Sequence, residues 1–96
     1  MELKDTIEMM QSTDYKERFK AEYQQTKIRY EKLKTFNDKI EAAYRTECQR
    51  PEVKKVEMPK HDCPYDLLRD QQQAMGNYLH ILELRAIIEG IDLNSI

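Results

Sequence analysis

Residues 63–91, CPYDLLRDQQQAMGNYLHILELRAIIEGI, read as one complete amphipathic helix with its own start and stop signals. Leu68, Gln72, Met75, Leu79, Leu82 and Ala86 follow one another in steps of four and three, so they share one helix face. Tyr78, Ile81, Arg85 and Ile88 flank that seam. Pro64 suits the first helical position, where a missing N–H costs nothing, and Asp66 complements the positive N-terminal end of the helix dipole. Gly90 stands where a left-handed cap would end the last turn. The reading gives a helix over about 64–89, and its apolar stripe demands a partner.

The partner lies upstream. Asp14 with Glu17 three residues later forms a capping-box pair, and Phe19, Tyr23, Thr26, Tyr30, Leu33, Asn37, Ile40 and Tyr44 then repeat the four–three step. Phe36 and Ala43 widen this seam on one side. The spacing predicts a helix over about 14–47, roughly 50 Å long at 1.5 Å per residue. Residues 49–63, QRPEVKKVEMPKHDC, form the linker, because Pro51 and Pro59 stop helix continuation; Val53, Val56 and Met58 suit a short extended piece. Residues 1–12, with Leu3, Ile7 and Met10, make a short N-terminal helix or an arm. The fold class is therefore all-α: one antiparallel helical-hairpin domain over residues 1–96.

Composition narrows the function. A 96-residue chain with 35% charged residues buries little surface, yet its periodic apolar positions and scarcity of Gly and Pro argue against a disordered chain and for long helices with wet outer faces. No apolar run approaches the ~18 residues of a membrane span, and the start MELKDTIEMM lacks a signal-peptide pattern. Two cysteines without framework spacing fit a reducing compartment, so a cytosolic location is expected. Net charge is −2, but residues 16–39 carry a balance of +4 and residues 65–96 one of −3, which favours packing the two segments together or meeting a charged partner with one face. Phe36, Ile81, Ile87, Ile88 and the tail residues Ile91, Leu93 and Ile96 fit no single stripe. Self-association into a dimeric four-helix bundle or a higher homo-oligomer would cover them.

The segments ERFKAEYQQTKIRYEKLKTF and LLRDQQQAMGNYLHILELRAIIEGI together resemble a widespread family of small phage-encoded proteins named after a crAss-like phage gene product. The resemblance rests on Arg29, Leu33, Phe36, Leu68, Gln72, Met75, Tyr78, Leu82 and Arg85 and spans residues 15–91. It implies a phage or prophage origin and a helical hairpin, and it implies no activity. The proline-bracketed linker and the two cysteines depart from that family pattern.

Few residues suggest chemistry. Lys20, Lys27 and Lys34 recur every seven positions with Arg29 nearby, which reads either as a solvated, ion-paired helix face or as a stripe for phosphates or an acidic partner surface. Gly76, in mid-helix, reads as a tight helix crossing or as the close approach of a ligand. Gln72 faces Asn37 in the seam, as a register-fixing pair or as a solvated edge. Cys48, His61 and Cys63 match no zinc spacing; free thiols or a Cys48–Cys63 disulfide are the alternatives. With two histidines, no phosphate loop and no enclosed carboxylate pair, neither an enzyme, a metal site nor a cofactor is expected.

The functional expectation is a non-enzymatic, self-associating phage protein, in the cytoplasm of an infected bacterial host. It would bind a host protein through Lys20, Lys27, Arg29 and Lys34 and block it by occupancy. The core and oligomer seam would be Phe19, Tyr23, Tyr30, Leu33, Ile40, Leu68, Met75, Leu79 and Leu82. The alternative is an oligomeric sponge for a cyclic nucleotide or similar messenger, and a structural accessory role is the third reading. Direct nucleic-acid or membrane binding is not expected.

Overall fold

The computed structural model describes residues 1–49 and 57–94, with the side chains of residues 1–46 and 57–94. The expectations for Cys48, Pro51, Val53, Val56 and Ile96 fall outside those described side chains. A 3-10 turn at Leu3–Thr6 runs into a one-turn helix, α1 (Ile7–Met10). The long α2 (Tyr15–Gln49) and α3 (Tyr65–Glu89) follow, and no strand occurs among the described residues. Contacts between α2 and α3 run in opposite directions along the chain: Tyr15 meets Arg85, Tyr23 meets Glu83, and Asn37 meets Gln72. The chain is an all-α antiparallel hairpin, 56 Å along its main axis.

Local chemistry sets the helix ends. The Lys16 N–H donates to Asp14 Oδ1 at 3.0 Å, capping α2 as the sequence suggests. Glu17 does not complete the expected box; its carboxylate instead accepts from Lys20 Nζ at 3.4 Å. Pro64 stands one position outside α3 rather than inside it, in extended backbone (ψ 144°), and its carbonyl accepts from the Leu68 N–H at 3.2 Å. Gly90 takes the left-handed conformation at φ 70° that only glycine adopts without strain. The Ile91 N–H then folds back to the Ala86 carbonyl at 2.8 Å, which brings the Ile91 side chain into the core beside Ala86.

The seam divides into an apolar end and a polar middle. Phe19, Tyr23, Leu79, Leu82, Ala86 and Ile91 form one buried cluster, with Tyr30 and Leu93 packed at its edge. Leu82 at its centre is wholly buried. Further along, Asn37 is 1% exposed. Its Nδ2 donates to Gln72 Oε1 at 2.9 Å and to the Leu68 carbonyl at 3.2 Å, while its Oδ1 lacks a partner. The buried-pair reading of Asn37 and Gln72 is the one the fold adopts. Ile40 and Ala43 are buried beyond it, and Leu33, Leu68 and Met75 are half-buried. Tyr44 departs from expectation at 64% exposed: it lines an open hollow with Glu41, Arg45 and Tyr65, where the first turn of α3 meets α2.

Two smaller pieces complete the rod. Thr6 is fully buried, its hydroxyl donating to the Leu3 carbonyl at 2.7 Å and accepting from Gln25 Nε2 at 2.9 Å, which ties the N-terminal arm to α2. On the approach to α3, the His61 ring meets Phe36 edge-on at 6.3 Å.

Leu82→Ala should cost about 2–4 kcal/mol, the range for emptying a fully buried leucine site. A chemical denaturation series would read it as a lower midpoint at unchanged slope; a loss below about 0.5 kcal/mol would contradict this core.

A pH dependence follows from Tyr23. Its hydroxyl donates to Glu83 Oε2 at 3.2 Å, and burial, followed by the Glu83 charge, pushes the phenol above its ordinary value. The folded chain therefore holds this proton more tightly than the unfolded chain. The stabilisation is complete below the unfolded value of about 10 and is lost as pH rises through the folded value. Melting temperature should fall across that window, and Tyr23→Phe should shallow the fall; an identical slope in the variant would remove Tyr23 as its source.

Candidate ligand groove

Mid-helix Gly76 opens the space between α2 and α3. A Cβ placed there would lie 3.3 Å from Tyr30 Cε1, so the absent side chain is what lets the Tyr30 ring lie against the α3 backbone. Beside that contact runs an open groove of about 640 Å³. It is lined by Tyr30 from α2 and by Tyr65, Asp66, Arg69, Asp70, Gln72, Gln73, Gly76 and Asn77 from α3. The volume falls within the range of small-molecule pockets, roughly 300–1,000 Å³. The α3 residues are held on one flank by helical periodicity: 66, 69, 70, 73, 76 and 77 follow the three–four step.

Its polar groups are positioned before any ligand arrives. The Arg69 guanidinium sits 5.7 Å from the centre of the Tyr65 ring. It donates to Tyr65 Oη at 3.0 Å and to Glu41 Oε1 at 3.4 Å. A cation braced in this way keeps unused N–H donors in a planar fork suited to carboxylate or phosphate. Gln73 and Asn77 are exposed and present amides able both to donate and to accept. Asp66 and Asp70 supply acceptors only, fitted to hydroxyls or amines. A second hollow of about 290 Å³ adjoins the first through Tyr30 and Gly76 and is bounded by Tyr23, Lys27, Glu31, Leu79 and Glu83. Together the two give a trough with a cation toward each end and a phenol ring between.

The basic residues singled out from the sequence do not share one site. Lys27 lines the second hollow, its ammonium 5.9 Å from the Tyr23 ring centre. Lys20 is largely buried and pairs with Glu17 at 3.4 Å. Lys34 pairs with Asp38 at 3.0 Å, and Arg29 is exposed on α2. Of the core-seam set, Tyr30 alone takes part in both hollows. Arg69, Tyr65 and Gln73 escaped the sequence reading. The available signal was Gly76, whose glycine sits in register with Tyr30 on the facing helix.

Among the described residues, no three His, Cys, Asp or Glu side chains gather where a metal ion could sit, and no helix is long and apolar enough to cross a membrane. Cys63 is an exposed free thiol. His80 is exposed on α3, and His61 is bound to the Pro59 carbonyl at 3.0 Å. Neither histidine touches the groove.

No curated protein and no solved structure matches the chain. A family model described as Sequestin matches residues 13–88, which takes in α2, all but the last residue of α3, the groove and the segment joining the helices. The chain belongs to the Sequestin family.

Proposed function

We propose that this protein is a non-enzymatic sequestering protein that holds a small, phosphate-bearing nucleotide-type ligand in the trough beside Gly76. The observation that carries the reading is the preformed groove: the Tyr30 ring against Gly76, and, further along α3, a guanidinium braced on Tyr65, with the exposed amides of Gln73 and Asn77 between. Phenol rings stack on bases, guanidinium and ammonium groups suit phosphates, and amides read polar base edges. The family description, with its reference to sequestration, supports a role of binding without turnover. In this reading the protein originates in a phage, acts in the cytoplasm of the infected bacterium, and removes a defence messenger by stoichiometric capture.

The geometry favours this over occupancy of a host protein by the α2 lysines. Lys20 and Lys34 are engaged in local ion pairs, and Lys27 faces the trough. Three cations engaged locally in this way leave a weaker surface for an acidic partner than their seven-residue repeat suggests. Self-association belongs to the proposal as well, because α3 leaves large apolar side chains uncovered.

Calorimetry against a panel of linear and cyclic nucleotides tests the capture. At least one should bind stoichiometrically. Arg69→Ala should weaken it by about tenfold or more, the loss expected for a charge-assisted contact. Gly76→Leu should abolish binding by filling the groove, with helicity preserved in circular dichroism. Silence across the panel, or binding indifferent to both variants, overturns the capture reading and returns the protein-blocking alternative.

A further inference from the structure

The face of α3 turned away from α2 carries a second apolar pattern that the hairpin does not use. Leu67, Ala74, Ile81 and Ile88 recur at intervals of seven, with Leu84 between the last two. All five are exposed, Ile88 at 83%, and Ile87, at 78%, borders them near the end of the helix. Helical arithmetic places this stripe opposite the buried Leu79, Leu82 and Ala86. One helix thus bears two apolar seams, of which its own chain covers one.

We infer that a second copy of this chain covers the outer stripe, α3 against α3, so that the working form is a two-fold dimer. Three observations choose that occupant. The seven-residue repeat is the period by which one helix meets another along a seam, and a stripe of this kind complements itself in a two-fold pair. The large aliphatic side chains leave on the order of 500 Å² uncovered per chain, at the upper end of what monomers tolerate and approaching the ~800 Å² per partner of a standard interface. Exposed neighbours such as Gln71, Asn77 and Tyr78 can supply the polar rim.

Charge points the same way. Arg85, beside the stripe, is already engaged by Glu89 at 3.1 Å, by the Tyr15 hydroxyl and by the Phe19 ring at 5.1 Å. It offers little uncompensated charge to a strongly acidic or basic partner. Asp70 and Asn77 border the stripe and also line the groove, so the second copy would lie along the groove's outer rim. This inference gives a surface to the proposed self-association and does not depend on the ligand.

Sedimentation equilibrium of the full chain, from about 10 to 200 μM, tests it. The wild type should weigh twice the 11.6 kDa chain mass. Ile81→Asp should fall to a single chain with helicity retained, while Tyr44→Asp, altering an exposed ring near the end of α2, should stay dimeric. A wild type that stays monomeric throughout overturns both the dimer and self-association. A wild-type dimer that persists in Ile81→Asp overturns this surface alone. If Ile81→Asp does not fold, Ile88→Asp replaces it, with the same outcomes. Because the measurement uses ligand-free protein, failure here leaves the capture reading standing, and failed capture leaves the dimer standing.

Discussion

Two helices packed side by side can bury one stripe of each, and every other feature of this molecule answers to that constraint. The buried stripe is rich in aromatic rings on α2 and aliphatic groups on α3, and it closes tightly where Phe19, Tyr23, Leu82, Ala86 and Ile91 meet. Burying each large apolar side chain there is worth about 1.5–3 kcal/mol. What cannot enter the stripe must find another cover or stay wet. Thr6 and Gln25 provide one cover by tying the N-terminal arm to a second side of α2. On α3 the surplus of Leu67, Ile81, Leu84, Ile87 and Ile88 stays outside.

Asn37 and Gln72 give the hairpin its register. A run of apolar contacts alone would tolerate sliding by a helical turn, since the four–three step repeats itself. A buried amide that must find Gln72 Oε1 and the Leu68 carbonyl has only one satisfactory position. The unpartnered Asn37 Oδ1 is the cost of that choice, of order 1–3 kcal/mol. With the register fixed, Gly76 falls opposite Tyr30, and the groove follows from that one juxtaposition.

Much of this was legible in the sequence because it depends on period. The positions of Phe19, Tyr23, Ile40, Leu79 and Leu82 follow from spacing alone, as do the Asp14 cap and the Gly90 stop. What spacing cannot supply is the offset between the helices. Tyr44 continues the α2 seam without a break, yet it lies in an open hollow beside Tyr65 at the very start of α3 and stays exposed. The same ignorance of offset hid Arg69 and Tyr65, which become groove residues only when Arg69 falls opposite Glu41. The lysine repeat shows a further limit of spacing. Glu17, Tyr23 and Asp38 stand three or four residues from Lys20, Lys27 and Lys34 and engage them locally, which the repeat alone does not reveal.

The uneven filling of the seam bears on how the rod moves. One end is zipped by a dry cluster and by Arg85, which joins Phe19, Tyr15 and Glu89 at the junction of α2 and the end of α3. Toward the other end the seam turns polar, then narrows to Ile40 and Ala43. Local opening is therefore expected first over the polar half of the seam, along the first turns of α3, with the dry cluster the last part to open. Slow amide exchange over the last turns of α3, and faster exchange over its first turns, would be the signature of that motion.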